Sequence, residues 1–205
     1  MIIGLCGLAG AGKDTAADLL VKHHGFVKLS FAAALKDVVA ALFGWDRAML
    51  EGIGAESRAW REREDVWWAA KLGKPGFSPR RALQEVGTEV LRVHWHDDVW
   101  KLALERKLAA EIERGGHIVV TDCRFPNDIA MLRERGAVIV HICRTATLPD
   151  WFEAARRGEE VPGQHPSEWL WAREKFDHRL LNDDTIETLA ARVGGIVDKM
   201  KEGRE

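Results

Sequence analysis

Residues 7–15 read GLAGAGKDT. The pattern G-x-x-x-x-G-K sets Gly7, Gly10 and Gly12 ahead of Lys13, with Ala9 and Ala11 completing the loop. Such a loop gathers backbone N–H groups and a helix N-terminus around one anion, and its lysine reaches the outer phosphates of a nucleoside triphosphate. Asp14 stands where Ser or Thr commonly supplies a magnesium oxygen, and Thr15 follows at once. A carboxylate is a good hard-oxygen ligand, directly or through water, so Asp14 and Thr15 are both candidates for Mg²⁺. A second group follows the apolar run HIVVT, residues 117–121, in Asp122, Cys123 and Arg124. An acid ending an apolar strand can hold Mg²⁺ or its water, and an arginine two residues later points to the same side of an extended chain. Arg144 closes the run AVIVHIC in the same manner, and Arg156 and Arg157 lie in the segment beyond it.

The elements around these residues read clearly. The apolar residues 2–6 before the loop and the helix-like ADLL after it give strand, glycine-rich loop and helix, the context this motif requires. FVKLS, residues 26–30, is a second strand, and FAAALKDVVAALFG has helical spacing ended by Gly44. The start of that helix faces the acceptor in a phosphate-loop kinase, which sets Phe31 against a base or in the core, and Lys36 near a phosphate or in solvent. Residues 45–77 combine a mixed-charge tract with Trp60, Trp67 and Trp68, which stack on a base or pack; nine Trp and no Tyr favour packing. Ser78 and Pro79 predict an N-cap and first helical residue. Spacing of three and four puts Arg81, Gln84 and Thr88 on one face of that helix, where a carboxamide flanked by donors suits a base edge or, equally, a solvated surface. A helix over 99–114 ends at Gly115 and Gly116, and another spans 126–135. Residues 145–168, rich in Gly, Pro and charge, suit a lid closing on phosphates, or a solvated loop. After a short strand at 176–181, Asn182, Asp183 and Asp184 turn into a final helix, with Asp184 and Glu187 at capping-box spacing.

Size and composition set bounds on function. The chain has 205 residues, 30% charged and 46% hydrophobic, with a formal net charge of -2. That suits one α/β domain and gives no basic face for a nucleic-acid polymer. No run reaches membrane-spanning length, and no basic region precedes the first apolar run, so neither a membrane span nor a secretory signal is expected. Cys6, Cys123 and Cys143 lie in or beside strands without metal-ligand spacing, which predicts buried reduced thiols and a cytoplasmic location. His94, His96 and Asp97 do not converge as metal ligands on a helix end.

Four blocks stand together: GLAGAGKDT, SFAAALKDVVAALFG, SPRRALQEVGTEVLRVHWHDDVW and VVTDCRFPNDIAMLRERGAVIVHICR, followed by HPSE and LLNDDTIETL. In content and order the chain resembles the deoxynucleoside monophosphate kinases of bacteriophages, phosphate-loop kinases related to adenylate kinase. The resemblance runs to about Leu189 and is weakest over 45–77; the GKDT form of the loop is shared with that family. It implies a single three-layer α/β/α domain over 1–205 with a central, mainly parallel sheet, a helical substrate-binding region near 45–115 and a mobile lid at 145–168. It implies transfer of the γ-phosphoryl of ATP to a deoxynucleoside monophosphate with Mg²⁺. Residues 7–15 would then hold ATP phosphates and the Asn182 turn would lie by adenine. Phe31, Lys36, Arg81, Gln84, Trp100 and Arg124 would line the acceptor side, Asp122 would serve magnesium water, and Arg144, Arg156 and Arg157 would act from the lid. Members of the family can form homodimers. Other readings are a small-molecule kinase such as dephospho-coenzyme A kinase, an ATPase or nucleotide switch acting on a protein, and a polynucleotide end kinase.

Overall fold

The computed structural model describes residues 1–145 and 148–203. In chain order its strands and α-helices are β1 (Ile2–Cys6), α1 (Lys13–His24), β2 (Phe26–Leu29), α2 (Ala32–Phe43), α3 (Gly54–Glu62), α4 (Val66–Leu72), α5 (Pro79–Gln84), α6 (Val99–Glu113), β3 (His117–Val120), α7 (Pro126–Arg133), β4 (Val138–Cys143), α8 (Trp151–Arg156), β5 (His178–Leu181) and α9 (Ile186–Glu202). The chain divides into two compact units, one of Met1–Phe31 with Leu104–Glu205 and one of Ala32–Ala103.

The first unit is built on a sheet in the order β2-β3-β1-β4-β5, with every pairing parallel. Successive strand residues face opposite sides, so the two faces of β1 are read directly from its sequence. Ile2 and Cys6 pack with Ile118, Val120 and Ile139 under α7. Ile3 and Leu5 pack with Val119, Val140 and Ile142 under α1 and α9. A strand buried on both faces reads as continuous apolar sequence, as IIGLC does. Helices cover both faces, so the unit is the expected three-layer α/β/α sandwich, with a sheet that is parallel throughout. Cys6, Cys123 and Cys143 are buried and free.

The second unit packs α2 to α5, a π-helix and the first turn of α6. Phe43, Trp45, Trp68 and Phe77 form an aromatic cluster, with Phe43 and Trp45 stacked at 4.6 Å. Trp68 Nε1 donates to the Phe43 carbonyl at 3.1 Å and Trp45 Nε1 to Asp65 at 2.8 Å. Packing thus accounts for these rings, while Trp67 is 59% exposed. Ser78 caps α5 by accepting the Arg81 N–H at 3.3 Å, with Pro79 at the first position.

Two local expectations change. The helix opened by Ser78 does not continue as α; from Glu85 to Val93 it is a π-helix. Its i→i+5 bonds shift the side-chain spacing, so the three-and-four rule that aligned Thr88 with Arg81 and Gln84 does not hold past Glu85. The last helix is capped by Thr185, whose side chain accepts the Thr188 N–H at 3.2 Å, in place of the Asp184 to Glu187 capping box. Asp184 lies one residue too early and instead accepts the Thr185 N–H at 2.8 Å. No helix among the described residues is long and apolar enough to cross a membrane.

Candidate active site

The loop between β1 and α1 hangs from the central strand of the sheet, and its carbonyls are tied from within. Lys13 Nζ donates to the carbonyls of Gly7 and Leu8, both at 2.9 Å. Arg144 Nε donates to the Gly10 carbonyl at 3.0 Å. Asn182 Nδ2 donates to the Ala11 carbonyl at 2.9 Å. By contrast, the N–H groups of Gly10, Gly12, Lys13, Asp14 and Thr15 donate to no described residue. With its acceptors satisfied and its donors unused at a helix N-terminus, the loop is a cradle for an anion. Ala9 and Gly10 form its exposed tip.

Two glycines are required by this geometry. A Cβ on Gly7, at φ +144°, would lie 2.3 Å from the Ile142 carbonyl oxygen, so β4 passes too close for any side chain. A Cβ on Gly12, at φ +98°, would lie 2.1 Å from Asn182 Nδ2. Asn182 is itself 8% exposed, and its N–H donates to the Cys143 carbonyl at 2.7 Å. Arg192 donates to the Leu181 carbonyl and to Asp183 Oδ1 beside it. One N–H of the Asn182 carboxamide is therefore committed to the loop.

Cations and acids surround the cradle unevenly. Burial presses the Lys13 pKa below its ordinary value, and Arg124 presses in the same direction, while Asp14 and Glu168 act against it. Asp14 and Thr15 are exposed, and Asp14 accepts an ion pair from Lys28 Nζ at 3.0 Å. Lys28, on β2, holds Asp18 one turn further at the same distance. Asp122 Oδ2 accepts from Ser30 Oγ at 2.8 Å and Oδ1 from the Phe31 N–H at 2.9 Å, so this acid fastens the end of β2 to the end of β3. Asp14, Thr15 and Asp122 offer only hard oxygens, a donor set that fits a hydrated Mg²⁺. Arg124 Nη1 donates to Glu168 Oε1 at 2.9 Å and to the Ser167 carbonyl at 3.2 Å.

The remaining candidates are placed less uniformly. Phe31 is 5% exposed and packs in the core of the first unit, which leaves its ring almost no face for a base. In the second unit Trp100, at the start of α6, is 7% exposed and its Nε1 donates to the Gly87 carbonyl at 2.8 Å, a packing role against the π-helix. Lys36 pairs with Glu51 at 2.6 Å; burial works to raise the Glu51 pKa, but hydrogen bonds from Lys36 and Arg47 hold it below the ordinary carboxylate value. Arg81 Nε donates to Glu85 Oε1 at 2.7 Å, Gln84 and Thr88 are half-buried, and Thr88 falls in the π-helix, off the face expected to unite the three. Of the expected lid, positions 146 and 147 lie outside the described residues. Phe152 and Ala155 of α8 are buried in the core of the first unit, Phe152 stacked on His141 at 5.7 Å. Arg156 and Arg157 are exposed and pair with Glu153 and Glu159. Sequence reasoning did not single out Lys28, Ser30 or Glu168; the HPSE block carried the only signal for the last of these.

The chain matches the family model described as deoxynucleotide monophosphate kinase over residues 53–193. It is 28% identical over 208 residues to a putative deoxynucleotide monophosphate kinase of Acanthamoeba polyphaga mimivirus, covering 97% of this chain and 96% of that one. It is 26% identical over 247 residues to the deoxynucleoside-5'-monophosphate kinase of Escherichia phage T5, covering 97% and 96%. Among solved structures it is similar to a dephospho-CoA kinase from Campylobacter jejuni, with a TM-score of 0.48 at 12% identity over 97% of this chain and 96% of that one. The match of the family model to most of the chain, on a fold whose central strand feeds a phosphate-type loop, places this chain in the deoxynucleotide monophosphate kinase family.

Proposed function

We propose that this kinase transfers the γ-phosphoryl of ATP to a deoxynucleoside 5′-monophosphate, giving the diphosphate and ADP. The observation that carries the reading is the cradle itself: tied carbonyls at Gly7, Leu8, Gly10 and Ala11 and unused N–H groups at Gly10, Gly12, Lys13, Asp14 and Thr15. The loop is preorganised for the ATP phosphates, and the third N–H of Lys13, beyond the two given to the loop, is directed to a phosphate oxygen. Asp14, Thr15 and Asp122 would hold Mg²⁺, which would supply charge neutralisation at the ATP phosphates.

The acceptor oxygen of a monophosphate is ionised at neutral pH, so its attack on the γ-phosphorus needs no general base. One P–O bond forms, the bond to the β–γ bridging oxygen breaks, and ADP leaves with the electron pair. What the chain must supply is alignment and positive charge. Arg124 and Arg144 are the arginines best supported for that duty, because Arg144 donates to the loop at Gly10 and the charge of Arg124 is felt at Lys13. Arg81, Gln84 and Thr88 are assigned to the acceptor, and Arg156 and Arg157 to a closing lid that excludes water. The buried free thiols support a cytoplasmic setting.

The test is ADP formation with each deoxynucleoside and ribonucleoside monophosphate offered singly with ATP and Mg²⁺, with Lys13→Ala as control. Stimulation by deoxynucleotides that is lost in the control supports the reading. Background hydrolysis indifferent to every monophosphate overturns it.

A further inference from the structure

Arg124 is held by one end only. Its Nη1 carries two N–H bonds, and both are committed, to Glu168 Oε1 at 2.9 Å and to the Ser167 carbonyl at 3.2 Å. Its Nε and Nη2 donate to no described residue. A guanidinium is planar, so fixing Nη1 at two points sets the direction of the opposite edge, the edge that grips a phosphate with two parallel bonds.

The support behind Glu168 is itself built. His165 Nδ1 accepts the Ser167 N–H at 3.3 Å and lies 2.8 Å from Ser167 Oγ. The Glu168 N–H donates to the His165 carbonyl at 2.9 Å, and the Glu168 carbonyl accepts from Trp171 Nε1 at 2.9 Å. On the arginine side, Asp128, 1% exposed, accepts the N–H groups of Arg124 at 3.4 Å and Phe125 at 3.1 Å. The Glu168 side chain is 16% exposed against 35% for Arg124, so the acid is the deeper, fixed partner and the arginine reaches outward from it. Each residue of HPSE thus has a part: His165 and Pro166 set the turn, Ser167 locks it, and Glu168 meets the arginine.

We propose that Glu168 is a positioning residue for phosphoryl transfer, holding Arg124 by Nη1 so that its Nε and Nη2 edge meets the transferring or acceptor phosphate; this rests on the reading of Arg124 given above. Glu168 also tempers the crowding of two cations at one site, since it opposes the effect of Arg124 on Lys13.

The experiment is a double-mutant cycle on the full chain, with kcat and KM measured separately for ATP and for the deoxynucleoside monophosphate. Loss of one hydrogen bond to a charged group corresponds to about 10- to 100-fold, so Glu168→Ala lowers kcat/KM for the monophosphate by that factor while KM for ATP moves less than about threefold. Glu168→Gln, which keeps the acceptor oxygen and the shape, recovers part of the loss, and thermal unfolding of both variants separates this from a folding defect. In an Arg124→Ala background, Glu168→Ala has little further effect, because there is no longer an arginine to aim. Multiplying, independent losses in the double variant overturn the positioning role while leaving the kinase reading intact. Arg124→Ala at wild-type rate overturns the assignment of Arg124 and this proposal with it. A chain that makes ADP with no monophosphate dependence overturns the kinase reading.

Discussion

Gly12→Ala probes the joint between the loop and the Asn182 turn. Two costs follow from the structure. Alanine at φ +98° sits in the left-handed region, which disfavours an L side chain by about 1–2 kcal/mol. The new methyl would lie 2.1 Å from Asn182 Nδ2 and 3.3 Å from its Cγ, so the carboxamide must withdraw. That withdrawal breaks the 2.9 Å bond to the Ala11 carbonyl and leaves a loop acceptor without its partner, a loss of about 1–3 kcal/mol. Together these are about 2–5 kcal/mol, which at about 1.4 kcal/mol per decade is roughly 30-fold to a few thousand-fold in kcat/KM. The assay is coupled ADP release under saturating monophosphate, with circular dichroism and thermal unfolding to separate a misfolded chain from a misshapen loop. Asn182→Ala alone removes the same bond and costs about 1–3 kcal/mol, roughly 5- to 140-fold. Adding it to Gly12→Ala removes no further bond, because the displaced carboxamide has already left the Ala11 carbonyl, so the double variant is no worse than Gly12→Ala and the two losses do not multiply. A Gly12→Ala enzyme within threefold of wild type, normally folded, would refute the claim that the loop shape is fixed by this contact.

Three further outcomes are expected. Lys13→Met should lose nearly all turnover without a matching loss of stability, since burial disfavours the lysine charge and an apolar chain of similar length removes that penalty; activity beside a melting curve checks both. His141, 3% exposed, has its pKa lowered to about 4 by burial first and then by Arg179 and Lys13. Its contribution to stability is full above the unfolded value near 6.5 and is lost as pH falls from there toward 4; between pH 7 and 5 the loss is about 2 kcal/mol. Urea unfolding of His141→Phe at both pH values should lack that part of the loss, and an unchanged acid dependence would contradict the reading. Lys28→Met should raise KM for ATP several-fold, because it uncovers the negative charge of Asp14 beside a triphosphate; the increase should shrink as ionic strength rises, and a salt-independent KM would contradict the reading.

What the sequence disclosed was set by short-range chemistry. The strand, loop and helix of residues 2–24, the Ser78 cap with Pro79 and the glycine after α2 are each decided within a few residues, and each stands where expected. The final helix was misjudged by one residue because Asp184 and Thr185 are both good caps, and only the approach of the chain selects between them. The π-helix has no composition of its own, since Glu85 to Val93 is an ordinary helical stretch in which Gly87 approaches Leu35. Charge and position in the sequence single out Lys13, Asp122 and Arg124 as candidates. The pairs Ser30 with Asp122, Glu168 with Arg124, Lys28 with Asp14 and Asn182 with Ala11 are made across the fold, and no spacing along the chain reveals them.

The position of β1 between β3 and β4 has a consequence for how the molecule comes apart. Backbone amides of a central strand exchange with solvent only when neighbours on both sides separate, an event that approaches global unfolding, whereas an edge strand such as β2 or β5 can fray alone. The loop is suspended from the most protected strand and clipped to β5 through Asn182, so its shape survives fluctuations that release the α9 end or the start of β2. In denaturant, the capacity to hold a triphosphate should therefore weaken when β5 frays and the Asn182 clip lets go, and vanish when the sheet itself opens.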